Sequence, residues 1–221
     1  MEEATYRITQ IEVQKKNDER VSIFLDGQFA FGLNREVLIR HPLHEGDAVT
    51  ESQIDDVLLV DERVWAKDKA LRFLAQRAHS ISEIRKKLSD RDVSERTIDR
   101  VVEDLVRVNL LNDREFAEIY TRSRLIARPM GRRMLQQELQ QKGLSPELIE
   151  STLDAAYEKQ SEFDLATALA EKRIDRYGKR PLIQAKKKML DFLSRRGFAW
   201  DTVYDVINSL AWPSENNETD E

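Results

Sequence analysis

The side chains that could do chemistry are few, and their spacing suits none of the common reactions. No cysteine occurs in the 221 residues. That removes thiolate nucleophiles, disulfides, zinc–thiolate sites and iron–sulfur clusters, and it fits a reducing compartment. Of the three histidines, His41 and His44 stand three apart around Pro42, in a segment expected to be a wet loop, and His79 lies far along the chain, so no ligand cluster is expected. Carboxylates pair up at Asp55–Asp56 and Glu103–Asp104. Neighbours on a helix point about 100° apart, so neither pair can share a proton or an ion as facing carboxylates do. Nucleotide-binding glycine loops, HExxH, GxSxG and EF-hand spacings do not occur. The expectation is a binding protein, not an enzyme, with no cofactor and no metal.

What remains is positive charge. One basic cluster, Arg122, Arg124, Arg128, Arg132 and Arg133, surrounds the turn Pro129–Gly131, with Lys142 beyond it. A second holds Lys172, Arg173, Arg176, Lys179 and Arg180, then Lys186, Lys187 and Lys188, then Arg195 and Arg196. These are candidate contacts for phosphate or for an acidic protein surface, and the alternative is that they solvate helix faces. The formal net charge of −5 conceals their setting. Residues 1–62 carry 6 basic and 14 acidic side chains, residues 63–210 carry 30 and 23, and the last eleven carry 4 acidic ones. A mildly basic body therefore lies between acidic ends. Trp65, Trp200 and Trp212 read as core or inter-helix fillers, and Tyr120, Tyr157 and Tyr177 as rings that bury while leaving the hydroxyl wet.

The elements that must position these groups change character near residue 62. Upstream, Tyr6, Ile8, Ile11 and Val13 are spaced like a strand with a one-residue slip. Val21, Ile23 and Leu25 alternate, Asp26–Gly27 interrupts, and Phe29, Phe31 and Leu33 alternate again, which predicts a hairpin with a type I′ turn. A short helix after Asn34 and a capping box at Thr50 and Gln53 complete a small N-terminal unit.

Downstream the chain is helical and self-similar. Ile84, Leu88, Ile98, Val102 and Leu105 recur 51 residues later as Leu135, Leu139, Ile149, Leu153 and Ala156, and 54 residues further as Met189, Leu193, Val203, Ile207 and Leu210. Both the spacing within helices and the spacing between them are kept, as stacked helical units require. Caps agree. Ser80 with Glu83, Asn112 with Glu115 and Ser145-Pro146-Glu147 open helices, Ser94 is a further candidate, and Gly143 and Gly197 suit helix stops. The expected fold is mainly all-α: three tandem three-helix repeats in an elongated array, preceded by a small β-hairpin-containing unit. The divisions are 1–61, 62–110, 111–160, 161–212 and an acidic tail 213–221. The start MEEATYRITQ lacks a basic segment followed by an apolar one, and no apolar run of about 18 residues appears, so a cytoplasmic monomer without membrane contact is expected. Three-helix units also admit a helix-turn-helix reading. The third helix of the first unit opens SERTIDR, an acidic start ill suited to the major groove, so direct DNA binding is the alternative.

The stretches SISEIRKKL, IDRVVEDLVRVNLLNDREFAEIYTRSR and GRRMLQQELQQKGLSPELIESTL resemble the RecX regulatory proteins of bacteria. The resemblance rests on Ser80, Glu83 and Ile84, where a leucine is usual, on Leu110, Leu111, Asp113, Phe116 and Ala117, and on Gly131, Glu138, Leu139, Lys142 and Gly143. It covers residues 62–160 well and extends more loosely to 210. It implies three tandem three-helix repeats that bind the RecA recombinase filament on single-stranded DNA and restrain its ATPase, strand-exchange and coprotease activities, with a role in recombinational repair and the SOS response. The family's functional map is diffuse, so the basic residues above come from charge alone, and the resemblance leaves the role of the acidic N-terminal unit open.

Overall fold

A computed structural model describes residues 4–177 and 181–212. Its contacts divide the chain into two compact units, Met1–Leu111 and Asn112–Glu221.

The first unit begins with a four-stranded antiparallel sheet of order β3-β2-β1-β4, built from β1 (Thr5–Gln14), β2 (Asn17–Leu25), β3 (Gln28–Asn34) and β4 (Ala48–Thr50). The slip expected in β1 is present as a register shift between Ile8 and Gln10 against β2. Asp26 (φ 48°) and Gly27 (φ 84°) make the β2–β3 turn, both with the positive φ that a type I′ turn needs. Sequence patterning missed β4, because three residues are too few to show a period. Helix α1 (Arg35–Arg40) is capped by the Asn34 side chain, which accepts from the Glu36 N–H.

Helix α2 (Glu51–Gln76) opens on the full Thr50–Gln53 capping box and runs without a break. Its first half, with Ile54, Val57 and Leu58, covers the sheet core of Ile8, Val21, Ile23 and Leu33. Its second half, with Ala66 and Ala70, joins the core of the first repeat. The boundary expected after residue 61 falls inside this helix, where the Asp61 carboxylate ties it to the sheet, accepting from the Asn34 N–H and, at 3.0 Å, from Arg20. One helix thus serves two cores, and sheet and first repeat form one unit.

The first repeat continues with α3 (Ile81–Ser89) and α4 (Glu95–Arg107). Ser80 and Glu83 form their reciprocal cap. Ser94 stands at the N-cap of α4 but makes no side-chain cap. Glu62 of α2 takes that part instead, accepting from the Ser94 N–H at 3.0 Å, from the Ser94 hydroxyl at 2.6 Å and from the Thr97 hydroxyl. Burial pushes the Glu62 carboxyl up, the hydrogen bonds from Ser94 and Thr97 outweigh it, and the group sits below its ordinary value.

The second unit holds α5 (Asp113–Ala127), α6 (Arg132–Gln141) and α7 (Pro146–Lys159), then α8 (Glu162–Tyr177), α9 (Leu182–Arg195) and α10 (Trp200–Ser209). The fold is thus mainly helical, with three three-helix repeats after the sheet. Within each repeat the third helix packs on both earlier ones where the contacts are strongest, as α4 does on α2 and α3, and α10 on α8 and α9. The recurring positions form the three helical cores. Every one of them is buried except Ala156, which is only half-buried. Gly143 (φ 75°) and Gly197 (φ 81°) occupy the left-handed helix stops that the sequence called for. Among the described residues no helix is long and apolar enough to cross a membrane.

Candidate functional site

The two basic clusters meet through a contact between turns. The turn of Pro129–Gly131 between α5 and α6 lies against Arg196–Gly197 between α9 and α10. The Gly131 N–H donates to the Arg196 carbonyl at 2.8 Å, and the Arg196 guanidinium donates back to the Pro129 carbonyl at 3.0 Å. A Cβ on Gly131 would run into the Gly197 backbone, and one on Gly197 would strike Met134. Glycine at both positions is what lets the second and third repeats approach backbone to backbone. Two further bonds pin the same turn: the Tyr157 hydroxyl donates to the Met130 carbonyl at 2.9 Å, and the Arg132 N–H donates to Glu162 at 2.7 Å.

At this junction the arginines divide into those that hold the fold and those that face water. Arg196 and Arg173 lie over the Phe192 ring, at 5.3 and 3.9 Å from its centroid, and Arg173 also donates to the Tyr177 hydroxyl. Burial, then the nearby charges of Arg128 and Arg173, pull the Arg196 guanidinium below its ordinary value. Arg124 is committed elsewhere, to Glu138 in a two-pronged pair with one arm at 2.6 Å, where the Tyr120 hydroxyl also donates at 3.0 Å. The Arg124 hydrogen bond is the chief cause that holds the Glu138 carboxyl below the usual carboxylate range. Arg132 is clamped by Glu150 at 2.6 Å and Asp154 at 2.7 Å. Lys142 lies over the Tyr120 ring at 5.5 Å.

The remaining candidates behave differently. Arg122, Arg128, Arg133, Lys172, Lys187, Lys188 and Arg195 are exposed, Lys186 is half-buried, and none makes a side-chain hydrogen bond or ion pair among the described residues. Lys179 and Arg180 lie outside the described residues. Trp200, expected as a filler, is 57 % exposed. It stands in the first turn of α10, a turn before the buried stripe of Val203, Val206 and Ile207 begins. Trp212 does fill, donating its indole N–H to the Ile207 carbonyl at 3.0 Å, and Trp65 packs on the first helical core.

Charge counting along the sequence missed two features. In the first unit, Arg63 and Arg107 both hold Asp104, while Arg100 pairs with Glu103, around a cleft of about 470 Å³. These arginines are spread over α2 and α4, so no cluster shows in the chain. In the second unit, α5, α7 and α8 line an open groove of about 660 Å³ with both apolar and charged side chains. Its one signal in the sequence is Ala156, where the other repeats carry Leu105 and Leu210.

No group of three or more histidine, aspartate or glutamate side chains fit to hold a metal occurs among the described residues. Tandem three-helix repeats, two of them in contact through glycine turns with cations beside that contact, define a class of helical repeat protein. Family models agree: those for the regulatory protein RecX match its N-terminal domain to residues 6–50 and its first, second and third three-helix domains to residues 66–105, 112–153 and 160–207. The chain belongs to the RecX family of non-catalytic regulatory proteins. It is 33 % identical over 192 residues to the regulatory protein RecX of Listeria monocytogenes serotype 4a, covering 87 % of this chain and 71 % of that one. With the RecX of Clostridium acetobutylicum it shares 30 % over 221 residues, 98 % of this chain and the whole of the relative. A crystal structure of a regulatory protein RecX superposes with a TM-score of 0.67 at 29 % identity, covering 93 % of this chain and 100 % of the other.

Proposed function

We propose that this protein carries out its family's general role, modulation of the RecA recombinase, by binding the recombinase filament on single-stranded DNA and restraining its ATPase, strand-exchange and coprotease activities. The observation that carries the reading is the set of unpaired cations around the contact between the second and third repeats, the exposed Arg128, Arg133 and Arg195, with Arg122 on α5 and half-buried Lys186 and exposed Lys187 and Lys188 on α9, the helices that lead to it, and exposed Lys172 on α8. Exposed cations that need not first abandon an internal carboxylate are free to neutralise phosphate or an acidic protein face. Arg124, Arg132, Arg173, Arg196 and Lys142 are engaged in contacts within the fold instead.

The test is titration of the protein into recombinase assembled on single-stranded DNA, following ATP turnover and co-sedimentation. Inhibition with association is expected, and absence of association at sub-micromolar protein would refute the reading. Direct DNA binding is the second reading, favoured by the same cations. It requires affinity for naked DNA with a steep salt dependence, and flat fluorescence anisotropy on single- and double-stranded DNA at low salt would remove it.

A further inference from the structure

The groove in the second unit is lined by three helices. On α5 its lining includes Arg114, Glu118, Thr121 and Leu125, one stripe of the helix, and α7 and α8 each contribute a similar stripe. Leu148, Ala156, Leu165 and Leu169 continue the apolar floor. Ile126, which also lines it, is 77 % exposed, a large apolar side chain standing in water. The physical origin of the groove is residue 156. In the first and third repeats the equivalent leucines, Leu105 and Leu210, are buried in their own cores. Alanine leaves the corresponding space open.

Two features of the groove indicate what fills it. Its rim carries Arg114, Arg122, Lys159 and Lys172 against Glu118 alone, all exposed and none in an ion pair among the described residues. The hydroxyl of Thr121, a residue 3 % exposed, faces the groove lining with no hydrogen-bond partner among the described residues. An apolar floor with a cationic rim matches an amphipathic helix whose polar side is acidic. A bare phosphate backbone would leave the leucines and Ile126 uncovered.

We infer that this groove is the docking site for an acidic amphipathic helix on the protein partner, adjoining the cation surface that meets phosphate and sharing Arg122 and Lys172 with it. The inference rests on the proposed function for the identity of the partner only. Two variants test it. Ala156→Leu restores the side chain that the other repeats carry and fills the groove, and Ile126→Ser removes an exposed anchor. Neither changes charge, so both are expected to bind naked single-stranded DNA as the unaltered protein does and to keep its thermal midpoint.

Both variants are expected to lose roughly tenfold or more in affinity for the recombinase filament, the loss typical of a central apolar contact. They should lose as much for a synthetic leucine–glutamate amphipathic helix of about 16 residues, roughly 24 Å long. A peptide of the same composition in scrambled order should not bind. Unaltered filament affinity in the variants, or a patterned peptide that binds no better than the scrambled one, overturns the inference. If the unaltered protein ignores the filament yet binds the patterned peptide in a manner both variants abolish, the proposed function falls and the groove stands.

Discussion

Single residues decide how closely the second and third repeats approach. At Gly131 the obstacle to a side chain is backbone, which cannot move aside, so Gly131→Ala should cost roughly 1–3 kcal/mol, the range of overpacked sites. Gly197→Ala meets Met134 and must also hold φ at 81°, which adds about 1 kcal/mol for a residue with a Cβ. Thermal unfolding of both variants checks this, and an unchanged midpoint for Gly197→Ala would show that the turn has relaxed. His79 supplies a pH dependence. It is buried, tilted against Phe73, with Nδ1 2.9 Å from the Arg77 carbonyl. Burial is the leading cause that lowers its pKa below the ordinary value, so the unfolded chain binds the proton first. Its contribution to stability is whole above about pH 6.5 and is lost as pH falls through the folded value. The midpoint should drop below that pH, and a neutral His79→Gln variant should show a shallower drop; equal slopes would clear His79 of the effect.

At the scale of elements, some helix starts are satisfied by side chains close in sequence and others by carboxylates about thirty residues away. The N-terminus of α4 depends on Glu62, 32 residues before Ser94. Glu62→Ala removes three accepted hydrogen bonds at once and should destabilise the first unit by about 1–2 kcal/mol, the upper range for loss of an N-cap. Since its folded pKa is depressed, the contribution is present above the unfolded carboxylate value and is lost as pH falls through the folded one. Denaturation of the variant at pH 7 and at pH 4 should therefore differ less than that of the unaltered protein. The caps at Thr50, Ser80, Asn112 and Ser145 were legible because each lies within three residues of its partner. Glu62 was not, because nothing in a linear pattern relates residues 62 and 94.

For the molecule as a whole the repeat sets where function can lie. Replacing Lys186, Lys187 and Lys188 by glutamate should weaken filament association and leave circular dichroism unchanged, since Lys187 and Lys188 are exposed and α9 buries Ala185, Met189, Phe192 and Leu193 instead. If those lysines meet single-stranded phosphate, each neutral replacement should also flatten the slope of log affinity against log salt by about 0.7. Binding that keeps both its strength and its slope would return the lysines to the role of solvating a helix. Arg132→Ala should behave in the opposite manner, costing stability through the freed Glu150 and Asp154 with little change in salt slope.

The sequence by itself determined the hairpin, the helical repeats and their register, because these follow from local periodicity, turn residues and caps. It also determined that positive charge gathers at two places in the chain. Only the tertiary structure decided which of those charges are free. Arg124 and Arg128 are four residues apart and alike on paper, yet one is spent on Glu138 while the other is exposed, since pairing depends on what the next helix brings near. The same holds for α2, whose helical pattern runs on from Ile54 toward Trp65 without showing that its two halves close two cores, and for Ala156, one small residue in a register of larger ones. Its consequence, an open groove, exists only where three helices meet.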